Sequence, residues 1–333
     1  MKEGAREIQN SKGVALIMVL WVMAILSVVV MEFCFAMRTE IQMTRHYKEE
    51  FNLYAMAQGG IQRAVTELIY KFDSRIQQLR KPLEEEEVPA EKKEWVTDGR
   101  AYLLPFDQGS CEVRVMSEGG KVNINIVSES TLRRIIGNLG LESDTLSIIV
   151  DSIMDWRDPD DFYRMNGAEN DYYQSLKEPY KCKNGNLDTI EELLLVRGIT
   201  PELFYGKNGR PGLKNIFSIY AMGEQVDINS AMPPVLSAFL GIPNEISQRI
   251  TKAREEKRFQ NSGDLIQRVP ELAPIIGAVG SFLVFSSPSR YFTIEARAKT
   301  QDGNSLRGVK TIVRIELREK NGYKVIQWVD KIF

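Results

Sequence analysis

Residues 12–31 read KGVALIMVLWVMAILSVVVM, and the reading of this stretch decides the class of the chain. Residues 14–31 carry no charge, and at a helical rise of about 1.5 Å per residue they would span about 27 Å, close to the hydrocarbon thickness of a bilayer. Beyond them, Glu32 is the single charge before Arg38. Lys2, Arg6 and Lys12 precede the run, so the amino end is expected to stay cytoplasmic and the remainder to be exported. A cleaved secretory signal, a plain signal anchor and a helix retained after a cut on its cytoplasmic side all begin this way. Cys34-Phe35-Ala36 is a poor small-residue cleavage site and the run is long for a signal peptide, which weighs against the first. Gly13, directly before the apolar run, keeps the third reading open.

Working outward, the helical pattern does not end with the apolar run. Tyr54, Gln58, Ile61, Val65, Leu68, Phe72, Ile76 and Leu79 advance in steps of three or four, which predicts one long helix with a packed face. Gly59-Gly60 lies within it and allows a bend or a close contact. Pro82 marks its expected end, and the alternating charges of residues 84–94 read as a solvated linker. Strand-like pieces follow at 100–106, 111–116 and 121–126, and again at 291–299, 307–318 and 323–329, the last group punctuated by DGN and NG turns. Between them lie mainly helical patterns. The expected fold class is therefore α+β: a transmembrane and stem helix, an antiparallel sheet, and a large helical domain inserted into it.

The insert repeats itself. Residues 122–125 read VNIN and residues 226–229 read VDIN, and Leu132 and Leu236 keep the same separation. Each copy is followed by an apolar helix, a Gly-containing turn (Gly140; Gly241-Ile242-Pro243) and a second helix. A shorter third piece is DTIEELLLVRGIT, residues 188–200. These look like helix-hairpin-helix units. In nucleic-acid-binding versions such hairpins hold a phosphate on backbone N–H groups. Here the usual G-x-G is missing, Pro243 removes a donor, and Glu255 and Glu256 interleave with Lys252, Arg254, Lys257 and Arg258. A structural use of the hairpins is expected, with a competence-type DNA-binding pilin as the alternative.

Residues 155–173 read DWRDPDDFYRMNGAENDYY. Asp155, Asp158, Asp160, Asp161, Glu169, Asn170 and Asp171 supply hard oxygen donors at high density, and a cation would relieve their mutual repulsion. The spacing is not that of an EF-hand, so Ca²⁺ in an irregular loop is the expectation.

Charge and composition narrow the classes further. Lys plus Arg is 43 and Asp plus Glu is 45, a formal net charge of −2, which gives no overall electrostatic footprint for nucleic acid. The lone histidine, His46, cannot build a multi-His metal centre. Cys34, Cys111 and Cys182 match no zinc or redox spacing, although Cys111 and Cys182 are free to pair if exported. No phosphate loop, nucleophile elbow or paired base is visible, and no catalytic residue is expected.

Taken together these motifs resemble one family. Lys12-Gly13 before an uninterrupted apolar helix is similar to the type IV prepilin signal, in which a prepilin peptidase cuts after the Gly, here between Gly13 and Val14. Pilin-like subunits mostly carry Glu as the fifth mature residue, where this chain has Met18. A subunit with nothing ahead of it has no partner for such a buried carboxylate. The D-W-x-D-x-D segment at 155–160, the G-A-E-x-x-Y-Y segment at 167–173, Tyr180 and the E-E-L-x-x-V-x-G segment at 191–198 are similar to the core of the K-type minor pseudopilins of type II secretion systems.

The resemblance implies a pilin fold with a helical insert, divided as leader 1–13, transmembrane and stem helix 14–81, linker and first strands 82–120, insert 121–288 and closing strands 289–333. It further implies Ca²⁺ in the insert and methylation. The implied partners are the I-type and J-type minor pseudopilins, the major pseudopilin, the prepilin peptidase and the bacterial inner membrane, with the soluble domain periplasmic and no nucleic acid bound. The implied role is that of a tip subunit of the pseudopilus aiding protein export.

Overall fold

A computed structural model describes residues 4–80, 95–207 and 209–330, with side chains from Gly13 onward except those of Leu79 and Arg80; the expected linker 84–94 and Pro82 lie outside the described residues. The chain divides into a unit ending at Met56 and a unit beginning at Ala57.

The first unit is helical throughout its described length, being most of helix α1 (Gly4–Phe72). Nothing in this unit covers the apolar run: Val14, Leu20, Trp21, Val29 and Phe33 are all more than half exposed. An apolar helix with bare side chains on every face and internally satisfied backbone hydrogen bonds is what a bilayer accepts, and the segment is long and apolar enough to cross one. His46 is an exposed residue of the same helix.

In the second unit, α1 ends at Phe72. A short helix, α2 (Ser74–Arg80), restarts after Asp73, whose carboxylate accepts the backbone N–H of Arg75 at 2.9 Å and caps its first turn. The buried stripe of the stem is Ala57, Ile61, Ala64, Val65 and Leu68, while Gln58, expected on that face, is exposed. The stripe lies on a five-stranded antiparallel sheet built from β1 (Asp98–Phe106) and β2 (Gly109–Ser117) and, after the insert, from three closing strands. Gly60 sits where a Cβ would meet the Cys111 sulfur and a Val113 methyl at 2.8 Å, so the helix backbone approaches the sheet closely.

The insert follows β2 in chain order. Strand β3 (Val122–Asn123) opens a first lobe with α3 (Glu129–Gly137), α4 (Ser143–Arg157), α5 (Asn170–Gln174), a 3₁₀ turn (Ile190–Leu195), α6 (Pro201–Tyr205), the small ladder β4 (Gly206–Lys207) and β5 (Arg210–Pro211), α7 (Leu213–Ile216) and β6 (Phe217–Ser218). The second lobe runs through β7 (Val226–Asp227), α8 (Pro233–Leu240), α9 (Asn244–Glu256), α10 (Ser262–Arg268), α11 (Ala273–Val279) and β8 (Leu283–Val284). The chain then returns to the sheet as β9 (Tyr291–Thr300), β10 (Leu306–Ile315) and β11 (Tyr323–Asp330), giving the order β1-β2-β9-β10-β11. Phe292, Ile294, Ala296 and Ala298 of β9 and Val309, Thr311, Val313 and Ile315 of β10 alternate inward, the period-two pattern of a half-buried sheet.

The VNIN stretch, at the start of the insert, is strand-like over 121–126 by sequence. It forms only β3, which pairs in parallel with Phe217–Ser218 inside the insert. VDIN does the same with Leu283–Val284. The two lobes are built alike down to single hydrogen bonds. Arg157 donates to the carbonyls of Ile124 and Val127, and Arg254 donates to those of Ile228 and Ala231. Gly140 (φ 70°) and Gly241 (φ 67°) turn the two helix pairs through left-handed backbone that a Cβ disfavours. The piece 188–200 belongs to the closing limb of the first lobe and follows Leu187 as α10 follows Phe259 in the second. One continuous apolar core runs through both lobes, from Val122 to Leu283.

Candidate functional site

The helix α4 and the Asn125 contact that closes the first lobe are joined by residues 158–186, which hold all but one of the oxygen donors expected from the sequence; Asp155 itself is a buried residue of the last turn of α4. Trp156, 2% exposed, packs edge-on against Tyr173 at 5.1 Å and fixes the base of the segment. Asp155 is fully buried and accepts the backbone N–H of Arg164 and its guanidinium, the latter at 2.7 Å. The same guanidinium donates to Asp158 at 2.7 Å. Burial raises the pKa of Asp155 while the bonds from Arg164 oppose it. Gly167 is required here, since a Cβ would stand 1.7 Å from an Asp155 oxygen.

The remaining donors divide into two sets. Asp160 accepts the N–H of Phe162 at 2.9 Å and holds a turn, and Asp171 is exposed at the start of α5. Asp161 accepts the amides of Asn170 and Asn184, each at 2.8 Å, and Asn170 in turn accepts the N–H of Cys182. Glu169 is different. It is 4% exposed, and no N–H or O–H group donates to either of its carboxylate oxygens; the weak donor of the Cys182 thiol is the one beside them. Burial pushes its pKa up to about 7; the neighbouring Cys182 thiol opposes this, and the charges of Asp155, Asp158 and Asp161 add to it. Asp158 Oδ1 and Asn184 Oδ1 are likewise buried without a donor.

Buried oxygens without donors are costly and rare in a folded protein. Asp161 connects those of Asp158, Glu169 and Asn184 in the chain and in space: Asn184 is bonded to it, Asn170, next to Glu169, is bonded to it, and Asp158 lies three residues before it. Among the described residues no three Asp, Glu, His or Cys side chains converge as a metal-holding group. The unsatisfied set instead combines two carboxylates with an amide carbonyl, all hard oxygen, the donor chemistry of Ca²⁺. Asn184 was missed from the sequence. Its signal was the Lys-Asn-Gly-Asn run at 183–186, and it is the one non-glycine residue in left-handed backbone among those described (φ 46°).

At the other end of the chain, Gly13 and Val14 are exposed residues of α1, and nothing lies within 4 Å of the Gly13 Cβ position. Cys111 and Cys182 are both buried and free. The hairpins of the insert leave little for a phosphate. The N–H groups of Gly241 and Ile242 both donate to the carbonyl of Ser237. Arg254, the centre of the basic cluster read from the sequence, is 2% exposed with its guanidinium on three backbone carbonyls, those of Ile228, Ala231 and Asp98.

A family model described as type II secretion system (T2SS), protein K, matches residues 116–205, which contain the whole acidic segment. A type II secretion system protein K from Pseudomonas aeruginosa is 24% identical over 306 residues, covering 88% of this chain and 86% of that protein. The protein of the same name from Pectobacterium carotovorum is 26% identical over 261 residues, covering 70% and 76%. Among solved structures, the GspK-GspI-GspJ complex of the enterotoxigenic Escherichia coli type 2 secretion system contains a similar fold. The match has a TM-score of 0.55 at 16% identity, over 85% of this chain and 100% of that one.

Proposed function

We propose that the chain is a minor pseudopilin of the type II secretion system protein K family, held in the bacterial inner membrane by α1 with its second unit in the periplasm and placed at the tip of a pseudopilus. The observation that carries this reading is the bare apolar helix, uncharged from Val14 to Met31, continuous with a sheet into which a two-lobed helical domain is inserted. Prepilin peptidase hydrolyses the Gly13–Val14 peptide bond and removes the basic leader, which otherwise holds the helix at the cytoplasmic face. The freed helix then leaves the bilayer to pack with like helices. Met18 supports the tip position, because a carboxylate at that depth is tolerated only with a partner ahead of it.

The I-type and J-type minor pseudopilins are the partners, as the solved complex of their namesakes suggests, and the major pseudopilin lies below them. The role is assembly and export. Within the insert, Asp158, Glu169 and Asn184 hold a Ca²⁺ ion, which supplies the positive charge that their unsatisfied oxygens lack and ties residues 158–186 to the first lobe. Asp161, Asn170 and Asp155 position those ligands through their own hydrogen bonds.

Mass spectrometry of the full-length chain isolated from membranes containing the peptidase tests the anchor. The chain is expected to begin at Val14, and Gly13→Val to retain residues 1–13. A wild-type chain that keeps its leader defeats the reading, as does failure of the processed chain to form a stoichiometric complex with I-type and J-type subunits in detergent.

A further inference from the structure

The two lobes close in the same way but over different lengths of chain. In the second lobe, Arg254 holds the carbonyls of Ile228 and Ala231, and only residues 255–258 separate it from Phe259, which Asn229 clamps. In the first lobe, Arg157 holds the matching carbonyls, and residues 158–186 intervene before Leu187, which Asn125 clamps. Closing a lobe therefore does not require the outer part of this segment.

That outer part has an unusual surface. Phe162 is 85% exposed, Tyr163 70% and Met165 95%, the three most exposed large apolar side chains of the second unit among those described. They are held out, not loose. Arg164, between them, points inward to Asp155 and Asp158, and Asp160 fixes the turn by accepting the N–H of Phe162. Leaving three such side chains in water has no structural return, and clustered exposed apolar groups mark contact surfaces.

We propose that Phe162, Tyr163 and Met165 form a docking tip for a folded protein that presents an apolar pocket rimmed by lysine or arginine. The charge around the tip selects this occupant. Residues 158–171 contain Asp158, Asp160, Asp161, Glu169 and Asp171 against Arg164 alone, and that arginine is already engaged. The segment stays acidic even with one divalent cation bound, so an anionic bilayer repels it and a basic protein surface attracts it. The proposal does not depend on whether the cation is present.

The test replaces Met165 with the photo-crosslinking residue p-benzoylphenylalanine in the full-length chain, in cells that assemble the secretion system. The expected result is an adduct to one other protein, with the crosslinked peptide, released by a protease that does not cut at Lys or Arg, carrying Lys or Arg. Phe162→Ser with Tyr163→Ser is expected to lower its yield at least about tenfold, and Asp171→Lys to lower it several-fold, while the melting temperature stays unchanged. Adducts to lipid or to a second copy of this chain, a crosslinked peptide without a basic residue, no adduct, or a yield indifferent to these substitutions would overturn it.

Discussion

The side chain of Asn125 closes on Leu187 through both of its polar atoms, donating to the Leu187 carbonyl at 3.0 Å and accepting the Leu187 N–H at 2.8 Å. Asn229 makes the same two contacts with Phe259 and adds a third, to the carbonyl of Phe285. Asn229 is 3% exposed, whereas Asn125 is half-buried. Truncation leaves buried backbone groups unsatisfied, and water reaches the Asn125 site more readily. Asn229→Ala is therefore expected to cost about 2–4 kcal/mol and Asn125→Ala about 1–2 kcal/mol in urea denaturation. Equal costs would mean that the two lobes are not clamped as their hydrogen bonds indicate.

Calcium is expected to raise the melting temperature of the wild-type chain over that in chelator, by a stabilisation of about 2.7 kcal/mol at a hundredfold excess over the dissociation constant. Glu169→Gln should abolish the response. It should not lower the melting temperature in chelator, because it replaces a buried carboxylate that has no donor stronger than the Cys182 thiol with a neutral group. A Glu169→Gln chain that melts far below wild type in chelator would show that the carboxylate is satisfied by the protein itself.

The sequence made the large divisions legible because they rest on periodicity. An uncharged run, a stem with three-to-four spacing and strands of alternating character each repeat one physical demand over many residues. β9 begins at the expected residue, and β10 stops at Ile315, short of the expected 318, where a turn closing through Gly322 takes over. What escaped depends on single contacts between distant segments. Asn184 becomes a candidate ligand only because Asp161 holds its amide, and Arg254 looks like part of a basic surface until its carbonyl partners are seen. The break at Asp73 turned on one capping carboxylate, which no apolar period records.

The stem helix approaches the sheet so closely at Gly60 that no side chain fits there. A Cβ would lie 2.8 Å from both Cys111 and Val113, residues in the middle of β2 with strands on either side. Gly60→Val is expected to destabilise the second unit by about 1–3 kcal/mol through overpacking, and Cys111→Ala to recover part of that loss. Gly59, whose nearest neighbour is the Phe106 ring at 3.5 Å, should accept Ala with less effect. Thermal melts of the three variants compare these outcomes directly.

Glu118 binds the insert to the sheet, and its ionisation sets an acid limit on that junction. The carboxylate is 1% exposed; it accepts the hydroxyl of Ser218 from the end of the first lobe, that of Thr293 from β9 at 2.6 Å, and the Lys121 ammonium at 3.1 Å. Burial alone would raise its pKa, but the Lys121 charge and the two hydroxyl donors outweigh burial and hold it below the ordinary glutamate value. A carboxylate with a lowered folded pKa stabilises the fold above its unfolded pKa of about 4.3, and that contribution drains away as pH falls toward the folded value. Stability should therefore decline as pH drops below about 4.3, and Glu118→Gln should flatten this limb while lowering stability at neutral pH. Because Ser218 and Thr293 reach Glu118 from the two sides of the junction, the loss is expected to appear first as hydrogen exchange at β6 and the start of β9. Exchange that rises uniformly over the whole second unit would show that Glu118 is one carboxylate among many and not the link between insert and sheet.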